Sequence, residues 1–282
     1  MKKKILIPVG FAFLALFINS VYAQYRVNEK NEIIEDRENG SINWSNNRIS
    51  AKGCAESDQS LFNQKIAAEV AARANLLKVL DGVQISSERV VRDGRTKGVI
   101  NTEKVEGFLK HSRVSEPEKN SIGLLEVTAY VNVDKKARIL MLPDAYFHEE
   151  EEYDDYDFST SSENTSLYTG IIIDASNLKV KPAMLPGLFD EDGRVIYSPS
   201  PSDKSSILEN GFAGYTGSLD KAKMLKDRVG EAPLIIKAEK ASSDGINLYL
   251  DNNDARKVLD AEKISRVLSD CRVMIVINNF TE

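Results

Sequence analysis

The sequence predicts an α+β chain of two small domains, the first a long alanine-rich helix packed on a mainly antiparallel sheet, the second a β-rich α/β module. Three observations predict it. Residues 57–82 carry helical periodicity, residues 122–133 alternate polar with apolar side chains, and Val273, Met274, Ile275, Val276 and Ile277 are consecutive and apolar. Residues 148–157 hold seven carboxylates, a block that repels itself and stays extended. That block, with the Ser/Thr-rich residues after it, makes 144–166 an acidic linker between domains at 42–143 and 167–282. A calcium site would use as many oxygens but needs turns and fixed spacing, which a contiguous block lacks.

In chain order, Lys2, Lys3 and Lys4 precede an apolar run, and Val21-Tyr22-Ala23 ends in small residues, so 1–23 reads as a signal peptide cleaved before Gln24. The run is short of the roughly 20 apolar residues a membrane span needs, so no transmembrane segment is expected in the mature chain. No cysteine stands at the cleavage site to carry a lipid. Residues 24–41 are polar and read as a flexible lead-in. Residues 42–55, with Trp44, Ile49 and Ala51, read as a first strand.

In the helix that follows, Phe62, Ile66, Val70, Ala74 and Leu77 share a face flanked by Ala67 and Ala71, and this face is expected to lie on the sheet. Ser57 or Asp58 can cap the first turn, Lys78 suits the negative end of the dipole, and Gly82 stops the helix. Residues 83–92 are β-rich before the turn signal Asp93-Gly94, residues 102–107 suit a short helix, and 108–114 a strand. In the alternating strand, Leu125, Val127, Ala129, Val131 and Val133 face the core, and a short helix over 134–142 ends before Pro143.

The second domain opens on a strand at 167–175. Residues 182–197 read as a hairpin turning at Asp190-Glu191-Asp192-Gly193, and 232–241 with 246–251 as another, joined by Ser243-Asp244-Gly245. A helix over 218–226 follows a glycine-rich loop. The helix that starts at Asp254 is expected to break between Asp260 and Glu262, where the apolar phase slips. Residues 272–278 read as a strand buried on both faces.

Chemistry is sparse. The formal charge of -6 becomes more negative once three leader lysines are removed, which argues against nucleic acid as a partner. His111 and His148 are the only histidines, and neither has neighbours at zinc-ligand or triad spacing. The acidic turn lacks the remaining EF-hand ligands, and the spacing of Gly211, Gly214 and Gly217 is not the dinucleotide fingerprint. No catalytic, cofactor-binding or metal residue is nominated, and the chain is not expected to be an enzyme. Cys54 and Cys271, the only cysteines, can close a disulfide between the halves in an oxidising compartment; the other reading makes both small buried apolar residues.

Ile49-Ser-Ala-Lys-Gly53, residues 67–77 and Gly82-Val-Gln-Ile85 give residues 42–142 a resemblance to the lipoprotein-20 family of bacterial envelope proteins, related to the N-terminal domain of flagellar assembly protein T and to flagellar outer-membrane protein P. The resemblance implies a small α/β module that assembles structures at the outer membrane, including rings around the flagellar motor, and no catalytic residue. Two departures stand out: the lipidated cysteine of many members is missing, and Cys54 replaces a small apolar residue. Tyr168-Thr-Gly-Ile-Ile-Ile-Asp-Ala175, Pro182-Ala183, the 190–194 turn and 272–277 look like a C-terminal module that accompanies such domains in exported proteins.

The expected function is therefore a non-enzymatic exported protein, a structural or assembly component at the periplasm or outer membrane. Its partners would be other envelope proteins, flagellar basal-body components among them, and homo-oligomerisation is compatible with this. The alternative is a periplasmic ligand- or glycan-binding module using Tyr168, Tyr197, Phe212 and Tyr215 around one concave site. A pocket shared by those rings would favour binding; flat exposed apolar surface would favour assembly. A hydrolase would need two close carboxylates in a cleft.

Overall fold

Two long antiparallel strands, β4 (Arg48–Ala55) and β9 (Leu125–Asn132), pair over their full length and centre a seven-stranded sheet. The structure is a computed structural model and describes residues 24–56, 58, 60–87, 89–90, 107–108, 111–142, 167–199 and 203–280. The expected leader, the Asp93-Gly94 turn, most of the 102–107 helix and the acidic linker lie outside these residues. The sheet runs β1 (Gln24–Val27), β2 (Ile33–Arg37), β3 (Gly40–Asn43), β4, β9, β7 (Arg113–Val114), with β8 (Glu118–Lys119) also on β9. Period-two alternation buries Ile49, Ala51 and Ala55 of β4 against Val127, Ala129 and Val131 of β9, the face expected for β9.

Residues 24–41 are not a flexible lead-in but the first strands of this sheet, with β1, β2 and β3 paired antiparallel in sequence. Their polarity hides a buried ion pair. Glu35 is fully enclosed, accepts from Arg37 Nε at 2.7 Å and from Trp44 Nε1 at 2.9 Å, and so needs no water.

The helix α1 (Leu61–Leu80) covers the sheet, capped at Ser60, whose hydroxyl accepts from the Asn63 amide at 3.4 Å. The expected buried face points the other way. Ala68, Ala72, Leu76, Val79 and Leu80 are buried, whereas Phe62, Ile66 and Val70 are 72%, 47% and 63% exposed. Backbone proximity is the reason: a Cβ on Gly53 of β4 would lie 2.1 Å from the Ala72 nitrogen and 2.4 Å from the Ala68 oxygen. Only a strand glycine beneath helix alanines lets the two backbones approach so closely, so the bulky ridge turns outward. At its C-terminal end, Arg37 reaches across to donate to the carbonyls of Val79, Asp81 and Gly82.

The hairpin β5 (Gln84–Ser86) with β6 (Arg89–Val90) and the helix α2 (Lys135–Met141), capped by Asp134, complete the first half. The second half contains a four-stranded parallel sheet in the order β13 (Gly214–Thr216), β17 (Val273–Val276), β10 (Ile171–Asp174), β14 (Leu234–Lys237). All four residues of β17 are buried, as a central parallel strand requires. The helices α4 (Leu219–Met224) and α5 (Lys226–Val229) cover one face through Ala222 and Val229, packed on Ile172, Met274 and Val276.

A second sheet runs β12 (Val195–Tyr197), β11 (Leu188–Asp190), β16 (Leu248–Leu250), β15 (Lys240–Ala241). The hairpin at the 190–193 turn forms, with β11 antiparallel to β12. The expected hairpin over 232–251 is divided: only β15 pairs antiparallel with β16, while β14 joins the parallel sheet. The helix α6 (Asn252–Ser265) is continuous where a break was expected, because Ile264 is exposed and Val267 and Leu268 pack beyond its left-handed cap at Arg266.

The two halves share one apolar core. The amides of Met184 and Leu185 donate to the Gln84 and Ile85 carbonyls at 3.1 and 2.7 Å, and Trp44 meets Tyr215 edge to face at 6.1 Å. The inverted helix face makes opposed predictions for two large side chains. Leu76→Ala should cost about 2–5 kcal/mol and Phe62→Ala less than about 0.5 kcal/mol in urea unfolding. Gly53→Ala should destabilise by about 1–3 kcal/mol through overpacking.

Candidate functional site

The outward side of α1 is a ridge at i, i+4, i+8 and i+12: Phe62, Ile66, Val70 and Ala74, all exposed. Leu61 extends it at 71% exposure, and half-buried Ala67, Ala71 and Leu77 flank it. Large apolar groups at three successive turns of one helix make a contiguous patch, not scattered surface residues. A helix apolar on both its sides is ordinarily buried on both. Arg73, on the same side of the helix, donates to Ser112 Oγ at 2.8 Å, and Lys65, Glu69 and Lys78 are the other charged residues of α1.

Arginines fix the junction of the halves. The helix α3 (Lys204–Asn210) ends, as every helix does, with carbonyls that have no partner within the helix. Arg138 of α2 donates to Leu208 O at 3.1 Å and Glu209 O at 2.8 Å; Arg228 of α5 donates to Asn210 O at 2.7 Å and Gly211 O at 3.1 Å. Burial, then the neighbouring Arg228, pushes the Arg138 guanidinium below its usual pKa. Both cations lie where the α3 dipole is negative, which favours them. No spacing in the sequence marked either arginine; the only clue was the Asn210-Gly211 helix stop.

The four aromatic rings do not all line one pocket. Tyr197 and Phe212 stack at 3.8 Å, and the Tyr197 hydroxyl donates to Phe212 O at 3.0 Å. Tyr215 donates to Ala183 O at 2.8 Å and accepts from the Ala183 amide at 3.0 Å. Burial raises the pKa of both phenols. Phe212 and Tyr215 do line one cavity, with Trp44 and Arg138, but its volume is about 30 Å³, room for one or two waters. Tyr168 is partly buried against the core elsewhere.

Cys54 and Cys271 are both free. Cys54 points outward from β4, its thiol 3.6 Å from Glu126 Oε2, while Cys271 is buried in the second half at a left-handed position, φ 56°. Burial and then Glu126 raise the Cys54 pKa; burial raises that of Cys271. His111 lies 3.0 Å from Asp134 Oδ2, and His148 is outside the described residues. In the acidic turn, Asp190 accepts from the amides of Asp192 and Arg194 and from Arg194 Nε, which is the bonding of a turn. Among the described residues, no group of three or more His, Cys, Asp or Glu is placed to hold a metal ion. None of their helices is long and apolar enough to cross a membrane.

Residues 170–279 match the family described as Treponema pallidum Tp0624, second domain. The match spans the second half, from the residue before β10 to three residues after β17. No curated protein matches the chain.

The cysteine environments predict unequal reactivity. Titration with Ellman's reagent should count one thiol in the native protein and two in guanidinium chloride. The native reaction should be slow near neutral pH and accelerate as pH rises through the elevated Cys54 pKa, since only the thiolate reacts.

Proposed function

We propose that this protein is a non-catalytic, exported component of the cell envelope that holds other envelope proteins in an assembly at the periplasm or outer membrane. The observation that carries this reading is the outward ridge of α1. An exposed apolar patch on an otherwise well-packed helix is a surface for a partner, and fully burying a side chain such as Phe62 or Val70 would contribute about 1.5–3 kcal/mol each. The signal-like amino terminus supports export, and the resemblance of residues 42–142 to the lipoprotein-20 family supports the envelope and, more specifically, the flagellar basal body. Aromatic rings already committed to packing, with a cavity of about 30 Å³, favour assembly over a glycan-binding module.

Photo-crosslinking from positions 66 and 70 in living cells, with position 223 on α4 as control, tests the surface. Adducts from the first two positions, lost in a Phe62→Asp/Val70→Asp protein whose circular dichroism is unchanged, support the reading. A mature chain that remains soluble and uncrosslinked at every position overturns it. Enrichment with basal bodies from detergent-solubilised envelopes tests the flagellar part separately; intact basal bodies recovered without this protein remove that part alone.

A further inference from the structure

A second surface carries a different chemistry. An open groove of about 740 Å³ lies where β4 begins and β9 ends, beside the first turn of α2 and the end of α3. Four fixed cations line it, Arg48, Lys135, Lys136 and Arg138, against two carboxylates, Asp134 and Glu209, in a chain of net negative charge.

Hydrogen bonding separates the committed groups from the free ones. Arg138 is spent on the α3 carbonyls, and Lys135 pairs with Glu209 at 2.7 Å. Asp134 accepts from the Ala137 amide at 3.1 Å and faces His111. What remains is Arg48 and Lys136, neither of which has a carboxylate partner among the described residues. Arg48 is also held in place: its Nε donates to Asn132 Oδ1 at 3.1 Å, and its guanidinium carbon sits 4.5 Å from the centre of the Tyr130 ring. That arrangement leaves its two terminal nitrogens for an incoming anion.

We propose that this groove binds a short acidic peptide segment, with Arg48 and Lys136 taking its carboxylates and the amides of Asn46 and Asn47 available to its backbone. Two uncommitted cations match one or two carboxylates, too few to hold a polyanion such as nucleic acid. Amide side chains along the wall pair with peptide N–H and C=O groups, which inorganic ions lack. The site is separate from the α1 ridge and does not depend on what α1 contacts.

The test uses the mature chain, residues 24–282, and a fluorescein-labelled Ala-Glu-Glu-Ala peptide at low ionic strength, read by anisotropy. Exposed ion pairs are individually weak, so Arg48→Gln and Lys136→Gln should each weaken binding about threefold, and the double variant about tenfold. Lys223→Gln, which removes the same charge on α4, should leave affinity unchanged. The uncharged Ala-Gln-Gln-Ala peptide should not bind. Equal losses in all three single variants would mean attraction to charge without a site, and would overturn the proposal. So would failure of the acidic peptide to bind, or displacement of it by inorganic phosphate at a lower concentration than by the unlabelled acidic peptide.

Discussion

The contact between α1 and β4 at Gly53 sets the form of the first half. Helix and strand backbones approach within the space one Cβ would fill, and this requires glycine on the strand with alanine at positions 68 and 72 above it. Alanine contributes little apolar area, so close approach replaces bulk as the source of packing there. Further along, Leu76, Val79 and Leu80 supply the larger buried side chains where the helix meets β3 and the turn into β5. The consequence is geometric: with one i, i+4 row seated on the sheet, the row of Phe62, Ile66 and Val70 must face outward. The surface argued to dock a partner is therefore the reverse side of the constraint that fixes the helix.

Arginine does at the helix ends what the core does along their length. Arg37 satisfies three carbonyls at the C-terminal end of α1, and Arg138 and Arg228 satisfy four at the end of α3. Each hydrogen bond from a charged donor is worth about 1.5–3 kcal/mol in context, and a carbonyl stripped of its donor loses more than the bond alone. Charge balance differs between them. Arg37 has the buried Glu35 beside it, whereas the cations at α3 are balanced by the helix dipole and carbonyl oxygens, an arrangement tolerated because both remain hydrogen-bonded. Since Arg138 belongs to the first half and α3 to the second, this clamp also holds the halves in one orientation.

Much of this architecture is legible in the sequence where periodicity and burial coincide. The alternation over Leu125 to Val133 names the buried face of β9, and the unbroken apolar run at Val273 names a strand covered on both sides. Misreadings arise where tertiary contacts outrank local pattern. The α1 face fails because hydrophobicity favours Phe62 over Ala68, while the decisive quantity is the distance between backbones, signalled only by Gly53 a helix-length earlier. Residues 33–37 look like a polar lead-in because Glu35 and Arg37 cancel each other only once the sheet brings Trp44 beside them. The arginine clamp joins residues up to 71 positions apart, and Arg48 in the groove is held by a residue 84 positions away, beyond any local motif.

The placement of the amino-terminal hairpin bears on where this protein can act. Open parallel sheets bind ligands outside the carboxyl ends of their strands. Here that end is built over by the chain itself. The Asn31 carbonyl, at the turn between β1 and β2, accepts from Thr216 Oγ1 at 3.1 Å and from the Gly217 amide at 2.8 Å, just past β13. Tyr25 of β1 stacks on Phe280 at 5.6 Å, and Asn279 donates to the Asn177 carbonyl across the exits of β17 and β10. A left-handed Asn31, φ 58°, is what aims its carbonyl into that position. The first half thus uses the parallel sheet's usual ligand crevice as its own docking seat, stabilising one orientation of the halves. The two surfaces proposed for recognition, the α1 ridge and the groove at Arg48, use none of the residues that form this seat.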